Sequence, residues 1–164
     1  MLAALILLTG CSGDTERGAE DAALYGELKG VWFYPDSAVY DTDGDLTSFT
    51  AYQFTDEAVK RHDVTNSRVV SSLLGRYTIK DGKYAFVFNG QKQYALIEIR
   101  DVDGKDHLFW DNDTKTMEFV RMTDEEIEEY GIPADMMLDG EAELLGIETA
   151  AETKAASETS AASE

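Results

Sequence analysis

The chain has 164 residues, with 33 acidic residues against 14 lysines and arginines and a formal net charge of −19. This length fits one modest domain with short appendages. The charge disfavours nucleic-acid binding, because a protein that follows phosphates needs a basic face. One cysteine, Cys11, and two histidines, His62 and His107, supply neither a disulfide framework nor a good transition-metal site, so no cofactor is predicted.

The chain begins with an apolar segment that is too short to span a bilayer. Residues 2–8 are Leu-Ala-Ala-Leu-Ile-Leu-Leu, whereas a spanning helix needs about 20 apolar residues. The residues Leu8-Thr9-Gly10-Cys11 resemble the lipobox of bacterial lipoproteins, which implies cleavage before Cys11 and acylation of its thiol. We therefore expect residues 1–10 to be a lipoprotein signal peptide whose basic start lies upstream, and lipid on Cys11 to anchor the protein to the extracytoplasmic side of the cell membrane. The alternative is an incidental thiol in a truncated leader.

Three polar segments flank the central part of the chain. Residues 11–29 are rich in Gly, Ala and Glu, which predicts a tether with one helical turn. Residues 123–149 are predicted to be a short acidic helical segment, because Thr123 to Glu126 fits a capping box and Gly131 and Pro133 end the helix. Residues 150–164 contain only Ala, Glu, Thr, Ser and one Lys, which predicts a disordered low-complexity tail.

Residues 30–122 have the pattern of an antiparallel β meander. Pairs that favour tight hairpin turns recur at Asp43-Gly44, Asp81-Gly82, Asn89-Gly90, Asp103-Gly104 and Asn112-Asp113. Between them lie segments rich in aromatic and β-branched residues, several of which alternate as in Met117, Phe119 and Arg121. The eight predicted strands are 31–34, 48–54, 58–64, 76–80, 84–88, 94–100, 107–110 and 116–121. We predict an all-β fold, a small antiparallel barrel or sandwich whose closure would remove exposed edges.

The first predicted strand carries a family resemblance. Gly30-Val31-Trp32 resembles the G-x-W of lipocalins, and residues 49–54, 75–82 and 119–121 are similar to strands of the short lipocalin-like domains of bacterial lipoproteins. The resemblance covers about residues 28–122 and implies an up-and-down barrel of about eight strands, either hollow or filled. It also implies that Trp32 closes one end of the barrel and that Arg121 lies across its ring. The alternative is an ordinary core tryptophan and an exposed strand charge.

Catalytic and metal chemistry find little support in the sequence. Neither histidine belongs to a known motif, and nothing picks out a carboxylate pair, so we do not expect an enzyme. Asp41, Asp43 and Asp45 alternate as in calcium loops, but Leu46 stands where the EF-hand template needs Gly. These aspartates are therefore weak calcium candidates, and a turn explains them better.

The aromatic residues are the remaining functional signal. Aromatic residues of six of the strands are predicted to line a ligand pocket. They are Tyr34, Tyr52, Phe54, Tyr77, Phe86, Tyr94 and Trp110. The alternative is that the same residues form an ordinary barrel core. Residues 84–88 are apolar on both faces, and we expect the outer face to pack on the helix near Ile127 and Tyr130. The favoured function is a membrane-anchored binding or accessory module for a small apolar ligand. A filled-barrel envelope protein that docks on another protein is the alternative, and a carboxylate-based hydrolase ranks third.

Overall fold

The computed structural model describes residues 19–55 and 58–133. Eight antiparallel strands form a closed barrel, in which each strand pairs with its neighbours in the chain and the first pairs with the last. The predicted all-β, up-and-down barrel is thus confirmed. The elements in chain order are α1 (Ala19–Leu28), β1 (Gly30–Tyr40), β2 (Leu46–Phe54), β3 (Ala58–Thr65), β4 (Val69–Lys80), β5 (Lys83–Phe88), β6 (Gln91–Val102), β7 (Lys105–Asp111), β8 (Thr116–Arg121) and α2 (Asp124–Glu129).

The hairpin turns follow the residue types that tolerate a positive φ. At Asp81-Gly82 and Asn89-Gly90 both residues have φ between +48° and +74°, as a two-residue hairpin turn that matches the strand twist requires. A further turn of this kind, at Asn66-Ser67, has φ values of 49° and 55°. This turn was not predicted, because serine is not a usual residue for this conformation. Because this turn joins β3 directly to β4, β4 begins at Val69, seven residues before the predicted start.

The seam between β1 and β8 is the shortest pairing of the barrel. Only Trp32↔Arg121 and Phe33↔Val120 pair across it in the described chain. Beyond Tyr34, β1 contains Pro35, which has no N–H to donate, and the register of β1 shifts there.

The segment before the barrel differs from the prediction. Residues 11–29 are predicted to be a tether, yet residues 19–28 form helix α1, which closes one end of the barrel with the buried side chains of Tyr25 and Leu28. The Tyr25 hydroxyl accepts a hydrogen bond of 2.9 Å from the backbone N–H of Ile79. Short helices are only marginally stable alone, so α1 depends on a barrel end that the local sequence does not reveal. Residues 1–18, with the predicted signal peptide and Cys11, and residues 134–164, with the predicted tail, lie outside the described residues.

Helix α2 begins as predicted but packs on an unexpected face. The Thr123 hydroxyl accepts from the Glu126 N–H at 3.2 Å, and the Glu126 carboxylate accepts from the Thr123 N–H at 2.8 Å. The helix covers the outer face of β1 to β3, where the Tyr130 ring lies 4.8 Å from the Phe49 ring. The expected packing of this helix on residues 84–88 is therefore wrong. Two residues connect β8 to α2 and β8 borders β1, so the helix reaches the neighbouring strands rather than β5.

Candidate functional site

One end of the barrel is closed by a helix, and the other end is open. The closed end carries α1 and the turns that follow β2, β4 and β6. The open end carries the turns that follow β1, β3, β5 and β7. The candidate site lies at the open end. At the closed end, helix α1 covers the barrel with the buried side chains of Tyr25 and Leu28.

Trp32 and Arg121 form the plug of the closed end. Trp32 has no exposed surface, and its indole N–H donates to the Leu28 carbonyl at 2.8 Å. The Arg121 guanidinium lies 4.1 Å from the centre of the Trp32 ring, the arrangement that the lipocalin resemblance implies. Arg121 also donates to the carbonyls of Glu27 and Lys29 and to the Asp106 carboxylate. It thereby joins the last turn of α1 to both sides of the barrel seam.

Three of the residues predicted to line a pocket fill the barrel instead. Phe54, Tyr77 and Phe86 are buried in the core cluster, and Phe86 has no exposed surface. The Tyr77 and Phe86 rings stack with their centres 5.8 Å apart. Since these rings occupy the middle of the barrel against one another, they do not line the cup at its open end. Their large inward-facing side chains predict core and pocket equally well, and only the packing distinguishes the two.

Tyr94 does not line the barrel interior, because it lies on the outer face beside a surface depression of about 500 Å³. It is 63% exposed, and the Lys92 ammonium lies 5.0 Å from its ring centre. Its neighbour Ala95 is buried, so the alternation of β6 turns Tyr94 outward. Tyr34 does face inward, next to Phe119, but its hydroxyl bonds Lys115 and Asp36 at the rim of the open end.

The open end holds a cavity of about 310 Å³, which we call the cup. Strands β2 to β8 contribute its walls. Of the predicted pocket residues, Tyr52 and Trp110 line it. The full lining is Tyr52, Arg61, Leu73, Phe88, Asn89, Gln91, Gln93, Trp110 and Met117. A single aromatic ring fits a cavity of about 150 Å³, so the cup has room for a ring with substituents.

The floor of the cup is aromatic and rigid. Trp110 is only 3% exposed and stacks on Phe86 at 4.0 Å. The Tyr52 ring meets the Trp110 ring edge to face at 6.0 Å. Stacked pairs of this kind contribute about 0.5–1.5 kcal/mol beyond their burial, so the rings hold their positions without a ligand.

Phe88 forms part of the wall because Gly75 leaves room for it. These residues pair across β4 and β5. A Cβ atom added at Gly75 would lie 2.6 Å from the Phe88 ring and 2.6 Å from the Val87 carbonyl oxygen, distances that real side chains do not adopt. The absence of a side chain at residue 75 therefore shapes the cup.

Among the described residues that line the cup, Arg61 alone has a charged side chain. It lies opposite Tyr52 in the pairing of β2 and β3 and donates to the Asp63 carboxylate at 2.8 Å. That hydrogen bond raises the pKa of Arg61 above its ordinary value. Burial would raise the pKa of Asp63, but hydrogen bonds from Arg61, Ser71 and Thr50 together hold it below its ordinary value. The positive charge that Arg61 brings to the cup is thus paired with a carboxylate.

Two buried N–H groups of the cup residues have no hydrogen-bond acceptor in the described chain. They are Nε of Arg61 and Nε1 of Trp110. A buried donor without an acceptor costs about 1–3 kcal/mol, and most buried polar groups have partners. The other tryptophan, Trp32, has its acceptor.

Sequence reasoning missed Arg61, although the inward alternation of Val59, Arg61 and Asp63 was the available signal.

The weak calcium candidates form a turn. The Asp41 carboxylate accepts from the backbone N–H groups of Asp43 and Asp45 at 2.9 and 3.0 Å, which is the side-chain bonding that aspartate supplies in turns. Residues 19–55 and 58–133 contain no cluster of three side chains suited to a metal ion.

The two histidines lie outside the barrel interior. His62 is buried on the outer side of β3, between Gln53 and Ser72. His107 lies beside the Glu118 carboxylate at 2.6 Å. The histidines therefore contribute nothing to the cup.

Comparisons of the chain with protein-family models, with curated proteins and with solved structures returned no match. Neither helix in the described part of the chain is long and apolar enough to cross a membrane.

Proposed function

We propose that this protein is a lipid-anchored, extracytoplasmic binding module that holds a small molecule in the cup. The observation that carries the proposal is the cavity of about 310 Å³ at the open end of an otherwise filled barrel. A concave site that combines aromatic rings with a few convergent polar groups is a common form of small-molecule site, and the cup combines Tyr52, Phe88 and Trp110 with polar side chains.

Binding explains the cup better than catalysis does. Its charged group, Arg61, is already paired with Asp63, and neither nucleophile nor carboxylate pair lies among the residues that line it. Rigid aromatic rings and amide side chains suit the retention of a ligand rather than its conversion.

The membrane anchor rests on the sequence at Cys11. Cys11 precedes α1 by eight residues, which reach at most about 28 Å when extended. Because α1 lies across the closed end, an anchor at Cys11 would keep this end towards the membrane and leave the cup facing away from it. Two or three acyl chains anchor a protein stably.

Native mass spectrometry tests the binding function. We expect the protein from its own organism's envelope extract to carry a small molecule that is lost on unfolding, and a Leu73→Phe variant, which narrows the cup, to carry much less. A Tyr94→Leu variant on the outer face is the matched control. A bare chain in every gentle preparation would contradict the proposal.

Fractionation tests the anchor independently. The wild-type protein should sediment with membranes and show an acylated amino-terminal peptide beginning at Cys11, whereas Cys11→Ser should do neither. Equal membrane association of both proteins would contradict lipidation at this residue.

An interaction protein of the envelope is the second candidate. The exposed apolar side chains on the outer face of β6, Tyr94 at 63% and Leu96 at 56%, favour it. In that case the Tyr94→Leu variant would lose a protein partner in crosslinking from intact cells, while cup variants would not.

A further inference from the structure

We infer that the cup selects a neutral, flat molecule that carries a hydrogen-bond acceptor such as a carbonyl oxygen. This inference rests on the proposed binding function and specifies the chemistry of its ligand. The observations that carry it are the two N–H groups without acceptors in the described chain, the pairing of Arg61 with Asp63 and the aromatic floor.

Two buried N–H groups beside the cup each lack a hydrogen-bond acceptor among the described residues. Nε of Arg61 and Nε1 of Trp110 are buried and have no acceptor in the described chain, and each residue lines the cup. Both groups lie around Tyr52, since Arg61 is its cross-strand partner and the Trp110 ring is 6.0 Å from the Tyr52 ring. Indole and guanidinium N–H groups can donate but not accept, so a ligand must bring the oxygen.

The charges favour a neutral ligand over an anion. Asp63 already holds the Arg61 guanidinium at 2.8 Å, so an incoming carboxylate would meet an ion pair rather than an isolated cation. Residues 30–122 also have a net charge of −4, which opposes an anion further. A carbonyl oxygen can accept a hydrogen bond from such an N–H group without bringing a second negative charge beside Asp63.

The shape of the cup favours a flat apolar group beside the acceptor. Tyr52, Phe88 and Trp110 contribute aromatic walls and floor, and rings pack well in edge-to-face and offset arrangements. The amides of Gln91 and Gln93, which also line the cup, can bond further polar groups of the ligand. The volume of about 310 Å³ suits a molecule of one or two rings.

Three probes of similar size separate the possible ligand classes. Acetophenone has a ring and a neutral carbonyl, benzoate has a ring and a carboxylate, and ethylbenzene has a ring without an acceptor. Binding is followed in ¹H–¹⁵N spectra of the full chain, which contains only two indole N–H groups. Trp32 is an internal control because its indole N–H already bonds Leu28.

We expect acetophenone to shift the Trp110 indole signal downfield in a saturable manner and to leave the Trp32 signal in place. Trp110→Phe, which keeps a ring but removes the donor, should weaken acetophenone about fivefold, as the loss of one hydrogen bond predicts. Arg61→Lys keeps the charge beside Asp63 but removes the guanidinium edge, and should weaken acetophenone to a similar degree. Ethylbenzene should bind both variants as it binds the wild-type protein.

Other outcomes overturn the inference in distinguishable ways. Tighter binding of benzoate than of acetophenone would identify an anion site, and equal binding of ethylbenzene and acetophenone would identify a purely apolar cup. In both cases the binding function would stand. If none of the probes moved a signal from the cup, the inferred ligand class would be wrong, and the native mass spectrum would decide the binding function separately.

Discussion

The indole of Trp32 should be the largest single contributor to stability among the side chains of the closed end. Trp32→Ala removes a ring with no exposed surface, for which the expected loss is about 3–5 kcal/mol in the free energy of unfolding. The lost hydrogen bond to the Leu28 carbonyl adds about 1 kcal/mol. The ring contact with Arg121 at 4.1 Å contributes about 0.5–2 kcal/mol more.

Urea unfolding followed by circular dichroism measures this loss. The expected total of about 4.5–8 kcal/mol is comparable with the whole stability of many small domains, so Trp32→Phe is measured beside Trp32→Ala. The phenylalanine variant keeps most of the buried ring and should lose about 1–3 kcal/mol. Tyr94→Ala, which removes an exposed ring, is the control and should change stability by less than about 0.5 kcal/mol. A loss below about 1 kcal/mol in Trp32→Ala would refute the plug at the closed end.

The ion pair, the cup wall and the helix cap give three further predictions. Because the native pKa of Asp63 lies below its ordinary value, its carboxylate stabilises the fold above about pH 4, and this stabilisation is lost as the pH falls through the native pKa. Urea unfolding at several pH values should therefore show a steeper acid loss in wild-type protein than in Asp63→Asn, and equal slopes would disprove the contribution. Gly75→Ala should lose about 1–3 kcal/mol in the free energy of unfolding by overpacking against Phe88. Gly26→Ala is the control and should not lose stability, because nothing lies near its new methyl group. Thermal melts compare the two variants. Thr123→Ala should lose about 1 kcal/mol in urea unfolding through the broken capping box, and an unchanged midpoint would show that the cap contributes nothing.

Local signals in the sequence sufficed for the strands and for one helix. Alternation and the turn pairs located all eight strands, because the side-chain period of two and the need for positive φ are properties of short segments. The capping box located α2 for the same reason. The pattern failed where the signal was weak, as at Asn66-Ser67 and in α1.

The candidate site could be predicted only in part. The sequence singled out Tyr52 and Trp110 as pocket residues, and both line the cup. It grouped them with Phe86, which is core, and with Tyr94, which is outside. It missed Arg61, because the alternation of Val59, Arg61 and Asp63 can be seen in the sequence, but only the closed barrel shows that this face of β3 points inward.

The sequence by itself predicted the eight strands, most of their turns and the alternation of several strands, since each depends on neighbouring residues. The up-and-down strand order was implied only by the resemblance to lipocalins. Only the tertiary structure decided that α1 covers the Trp32 end of the barrel, where α2 packs, and which aromatic rings fill the interior. These outcomes depend on contacts between residues far apart in the chain, such as Tyr25 with Ile79 and Arg121 with Glu27. The cup likewise exists because Gly75, Trp110 and the Arg61–Asp63 pair meet at one end of a closed barrel.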